Sequence, residues 1–141
     1  MKQSVVTTVE PLLEGLAARI ARRDLPPAAA YANRFEPAQV LRRLDDYLAA
    51  LLPGRNRLSR ASRVRMLYQF MQHEAQTARD LARAAGVARV AGSRAHAELV
   101  GIGLLRGAYE GPRRVYRLSR WGEDWLLAIG RCEVPPARPG A

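Results

Sequence analysis

TARDLARAAGVARVAGSRAHAELVGIGLLR, Thr77 to Arg106, is the stretch on which the reading of this chain turns. Small residues and arginines fill it, yet its apolar positions recur at helical spacing. Thr77 with Asp80 has the form of a capping box, in which each side chain satisfies the other's backbone N–H. Ala78, Leu81, Ala82 and Ala85 then fall at i, i+3, i+4 and i+7, one buried helix face. Gly86 predicts the end of that helix, because glycine accepts the left-handed conformation of a tight turn; Val87 is placed to fill the gap before a second helix.

The second helix is expected from about Ala88 to Val100. With Gly92, Ala95, Leu99 and Ile102 inward, Arg89, Val90, Ser93, Arg94 and Ala97 fall outward, and Ala91, Ala95 and Leu99 make an alternative inner face. A mid-helix glycine is about 1 kcal/mol less favourable than alanine, which leaves the rotation of this helix open at the level of sequence. Small inward residues let two helices cross closely. A short, basic outer face is what a helix needs to enter a DNA major groove, where bulky neighbours would hold arginine back from the base edges. Downstream, Leu104 to Tyr109 and Arg114 to Leu118 read as two strands around the turn Glu110-Gly111-Pro112-Arg113, and Ser119 caps a further helix.

Upstream, Thr8 can cap a helix over Val9 to Asp24, with Val9, Leu12, Leu13, Leu16 and Ile20 along one face, and Leu25-Pro26-Pro27 stops it. Another helix is expected from Glu36-Pro37, carrying Val40, Leu41, Leu44, Tyr47, Leu48 and Leu51 up to Pro53-Gly54. These greasy faces either pack on the chain's own core or build a dimer interface. GRNRLSRASRVR, Gly54 to Arg65, is a basic linker into a third helix, with Ser59 or Ser62 as cap and Val64, Leu67, Tyr68 and Met71 as its stripe. EVPPARPGA at the end has the composition of a disordered tail.

Taken in order, the capped helix, the Gly86-Val87 turn, the second helix and IGLLR resemble the helix-turn-helix of winged-helix transcription regulators of the MarR, ArsR and PadR kinds. GLLRGAYEGPRRVYRLSRWGEDWLLAI resembles the β-hairpin wing of those families, with Tyr116 to Gly122 matching the strand that leads into their last helix. The resemblance covers roughly residues 62 to 130. Gly92, where the families usually carry a branched aliphatic, and His96, often leucine, depart from it. It implies an α+β winged helix-turn-helix fold at 55–130; residues 1–54, which match no member of those families, are expected to form an N-terminal helical extension, and 131–141 a disordered tail. It implies double-stranded DNA as partner, a homodimer, a regulatory function expected to be repression, and no cofactor. By the same resemblance Ala88, Arg89, Val90, Ser93 and Arg94 face the major groove, while Arg113, Arg114 and Arg117 at the wing reach phosphates or the minor groove. Arg55, Arg57, Arg60, Arg63 and Arg65 are either backbone clamps or a solvated linker.

Charge points the same way. Residues 55–120 hold fourteen arginines against Glu74, Asp80, Glu98 and Glu110, out of a formal net charge of +10 for all 141 residues. A block of one sign favours a polyanionic partner. Genomic base composition is the bland reading of part of the arginine bias, so position weighs more than total. The lone Cys132 has no internal disulfide partner, and no Cys/His cluster has zinc spacing, so a cytoplasmic setting is expected. No window approaches the roughly 18 apolar residues of a membrane span. Trp121 and Trp125 are expected in core or dimer packing rather than stacked on bases, and His73 and His96 are expected to be a helix-end cation and a groove or packing histidine rather than ligands or a catalytic base. No phosphate loop, metal set or nucleophile with a paired base is legible, so an enzyme is not expected. Two further readings keep the fold but change its use: an architectural or segregation DNA-binding protein of a plasmid or mobile element, and a protein–protein adaptor.

Overall fold

Leu44, Leu48, Leu67, Leu81, Leu99, Leu104 and Ile129 are wholly buried, and they come from five different helices and the loop that follows one of them. The computed structural model describes residues 9–23 and 30–140. Among these residues the order is α1 (Glu10–Arg23), α2 (Pro37–Leu51), α3 (Arg57–Gln69), β1 (Gln76–Thr77), α4 (Ala78–Ala85), α5 (Arg89–Gly101), β2 (Leu105–Glu110), β3 (Arg113–Leu118) and α6 (Arg120–Gly130). The class is α+β: six helices and one antiparallel sheet with the strand order β1-β3-β2.

Local chemistry fixes most boundaries. Pro37 sits in the first turn of α2, where its missing N–H is no loss. Thr77 and Asp80 form the capping box, Thr77 Oγ1 accepting from the Asp80 N–H at 3.2 Å and the Asp80 carboxylate from the Thr77 N–H at 2.9 Å. Gly86 takes φ +67° and closes α4, and the Val87 N–H returns to the Ala82 carbonyl. Gly111 at φ +65°, followed by Pro112, turns β2 into β3 in a two-residue loop that pairs Glu110 with Arg113. Ser119 caps α6 by accepting from the Gly122 N–H at 2.9 Å.

Several expectations are corrected. Asn56, rather than Ser59 or Ser62, caps α3, its side chain accepting from the Ser59 N–H at 2.8 Å. The buried stripe of that helix uses Met66 with Val64 and Leu67; Met71 lies beyond the helix end and is exposed. The strand β1 is not legible in the sequence: two residues pairing with Val115 and Tyr116 carry too little pattern to read. The tail, expected to be disordered, forms no helix or strand over 131–140 but is held in place. The Trp121 indole donates to the Pro136 carbonyl at 3.0 Å, and Arg138 donates to the Gly101 carbonyl at 3.3 Å. The expected cap Thr8 and stop Leu25-Pro26-Pro27 lie outside the described residues.

The core is closed without α1. Val40, Leu44, Leu48 and Leu52 from α2 and its end pack with α3 and with Trp125, Leu126 and Ile129 of α6. Arg43 is 1% exposed and anchors this junction. Its guanidinium donates to the carbonyls of Ile129 (2.9 Å), Arg34 (2.6 Å) and Gly130 (3.3 Å), and it lies 5.4 Å from the Tyr31 ring centroid. A buried cation is tolerable where carbonyl dipoles, here at the negative end of α6, replace its water.

Candidate functional site

The helices α4 and α5 cross with almost no space between them. Gly92, buried on the inner face of α5 with Ala95, His96 and Leu99, lies against Ala82 of α4. This settles the rotation of α5: Ala91 is exposed, so the alternative inner face is not used. The opposite face carries Ala88, Arg89, Val90, Ser93, Arg94 and Ala97, all exposed, with Val90 at 68%. No side chain caps the start of α5 and no acid occupies its first turn, so its free N–H groups and positive dipole end stand beside Arg89.

The hairpin stands next to this face. Between the start of α4, the start of α5 and the turn lies an open groove of about 520 Å³, lined by Thr77, Ala78, Arg79, Ala82, Arg89, Pro112, Arg113 and Arg114. Four of these eight are arginines from three elements. Arg114 is exposed and lies over the faces of both Tyr109 and Tyr116, 5.6 Å from each centroid, which lays its side chain along the hairpin. Asp80 is the nearby acid. The backbone hydrogen bond from Thr77, against the smaller effect of burial, lowers its pKa, so it is ionised and committed to its capping box.

Four of the five linker arginines are engaged by acids of the chain itself. Arg55 and Arg63 both bond Glu98 of α5, while Arg60 bonds Asp45 at 2.8 Å with Arg57 3.9 Å away. Arg63, expected at the DNA backbone, is 6% exposed and held on the Glu98 carboxylate. Arg117 is likewise engaged, by Glu110 across the hairpin. Arg65 remains exposed, one of its nitrogens 3.4 Å from the Ala85 carbonyl. Arg79, Arg89, Arg113 and Arg114, at the starts of α4 and α5 and on the hairpin, are in no salt bridge among the described residues, as is Arg65 of the linker. Arg79 was missed in the sequence, although the apolar spacing of α4 puts residue 79 outside by elimination.

His96 packs its ring 4.5 Å from that of Tyr116, and both ring nitrogens are buried without a hydrogen-bond partner. Burial, helped by the charge of Arg114, lowers its pKa. Among the described residues no group of three or more His, Cys, Asp or Glu side chains is arranged to hold a metal, and no helix is long and apolar enough to cross a membrane. Comparisons with protein-family models, with curated proteins and with solved structures find no match to this chain.

Proposed function

We propose that this chain is a winged helix-turn-helix protein that binds double-stranded DNA as a homodimer and regulates transcription. In this reading α3, α4 and α5 are the three helices, α5 the recognition helix and the β2–β3 hairpin the wing. The observation that carries it is the coincidence of two features on one side of the molecule: an exposed α5 face of short side chains bearing Arg89, Ser93 and Arg94, and an adjoining groove with four arginines, none of them in a salt bridge among the described residues. A rod of that width fits a major groove, where arginine grips guanine bidentately, while the groove arginines meet phosphate. Two copies on a two-fold axis would present α5 to successive major grooves about 34 Å apart, so the site is a near-palindrome.

The test is fluorescence anisotropy with DNA from upstream of the protein's own gene and with scrambled DNA of the same composition, across salt to about 0.15 M and beyond. Preference for the native sequence, with affinity falling steeply as salt rises, is expected. Failure to bind either DNA at low salt ends the DNA reading.

A further inference from the structure

Every described side chain of α1 is exposed, Gly15 alone being partly covered, and its apolar residues are among them: Val9, Leu12 at 71%, Leu13, Leu16 and Ile20. Val9, Leu13, Leu16 and Ile20 are spaced 4, 3 and 4 apart, the alternation of a coiled-coil seam, with Leu12 beside it. The Leu13 N–H bonds the Val9 carbonyl at 2.9 Å, which joins Val9 to the same helical run. The chain's own core does not need this face, since α2 and α6 already close it.

Charge along α1 is sorted by end. Glu10 and Glu14 occupy its first half, whereas Arg19, Arg22 and Arg23 occupy its second. Set head to tail, two copies place the acidic half of each beside the basic half of the other, twice, and their dipoles oppose. Set head to head, they place like beside like. One element thus holds both an apolar seam and its own electrostatic complement, which is the requirement of an isologous two-fold interface.

We infer that α1 is a self-association surface: two copies of this chain pair through antiparallel α1 helices along Val9, Leu13, Leu16 and Ile20. This supplies the contact for the dimer proposed above, and rests on that reading only for its purpose; its test uses no DNA, so the two can fail separately. A helix of 14 residues is about 21 Å long and buries few layers, so the dimer dissociates on dilution.

Sedimentation equilibrium of the intact protein, from ~1 to ~100 µM at about 0.15 M salt, reads the association directly. A concentration-dependent dimer is expected, and Leu13→Arg with Leu16→Arg leaves a monomer whose thermal melting at low concentration is unchanged, because neither side chain is in the core. Glu10→Arg with Glu14→Arg makes both ends basic; Arg19→Glu with Arg22→Glu and Arg23→Glu makes both acidic. Each set alone weakens association roughly tenfold, and mixing the two restores it as a heterodimer. The inference is overturned by a wild-type monomer throughout the range, by a dimer that survives the leucine substitutions, or by charge variants that associate as wild type does and gain nothing from mixing.

Discussion

Gly92 of α5 lies so close to Ala82 of α4 that a Cβ built on the glycine would stand 2.8 Å from the alanine Cβ and 3.2 Å from its Cα. Gly92→Ala therefore sets two effects against each other. Alanine gains about 1 kcal/mol of helix propensity, while overpacking against backbone, which no rotamer relieves, costs about 1–3 kcal/mol. The clash wins: the urea midpoint falls, and Ala82→Gly in the same chain recovers part of the loss. A Gly92→Ala protein as stable as wild type would mean the two helices are not in this contact.

Glu98 couples two arginines to the same helix. Burial alone would push its carboxyl up, but the hydrogen bonds from Arg55 and Arg63 outweigh that and hold its pKa below the ordinary 4.5. The pair therefore contributes fully above the unfolded value and is lost as pH falls through the lowered folded one. Glu98→Gln should cost about 1–3 kcal/mol at pH 7 and flatten the acid limb of the stability profile below about pH 4.5. Chemical denaturation at a series of pH values measures both.

His96 gives a slope of the same sign at higher pH, as a base kept neutral. Its pKa is lowered, so between the folded and unfolded values the unfolded chain binds more protons, and stability drops as pH falls below about 6.5. The groups facing it are the Tyr116 ring and the Arg114 charge. His96→Leu should remove this slope and be neutral or stabilising at pH 7, because it deletes two buried nitrogens that have no partner. A loss of more than about 1 kcal/mol at pH 7 would show that the imidazole makes a bond the packing does not account for.

Arg43 needs the fork of a guanidinium. It reaches three carbonyls on two separate segments, which one ammonium cannot span. Arg43→Lys should lose about 2 kcal/mol or more, whereas Arg42→Lys, exposed one position earlier, should stay within about 0.5 kcal/mol. Equal, small effects in thermal melting would contradict the buried placement.

On DNA, three arginines should separate. Arg94→Ala should lose about 1–3 kcal/mol on the native sequence and little on scrambled DNA. Arg114→Ala should weaken both and reduce the salt slope by about one. Arg63→Ala should leave the slope alone and lower stability instead, since its charge already faces Glu98. Anisotropy titrations at several salt concentrations, beside melting curves, distinguish these patterns.

Much of this was legible because it is local. The Thr77–Asp80 box, the left-handed Gly86, the Gly111-Pro112 turn and the Ser119 cap each depend on residues within a few positions, and the i, i+3, i+4 spacing fixes which side of α4 is buried. The five linker arginines were less legible: nothing near Arg63 in the chain announces Glu98, 35 residues away. Met66 displaced Met71 because the helix stops at Gln69, and β1 exists because β3 is there to pair with.

The sequence by itself determined the helices and hairpin, their caps and turns, and the concentration of positive charge between residues 55 and 120, because these follow from short-range hydrogen bonding, periodicity and composition. Tertiary structure alone decided which arginines keep that charge. Asp45 on α2 and Glu98 on α5, distant in the chain, fold onto four of the linker arginines and offset part of their charge, while Arg79, Arg89, Arg113 and Arg114, in no salt bridge among the described residues, are grouped around one groove. It also decided that the apolar face of α1 finds no place in the core, since other side chains already fill it, and that face is left exposed.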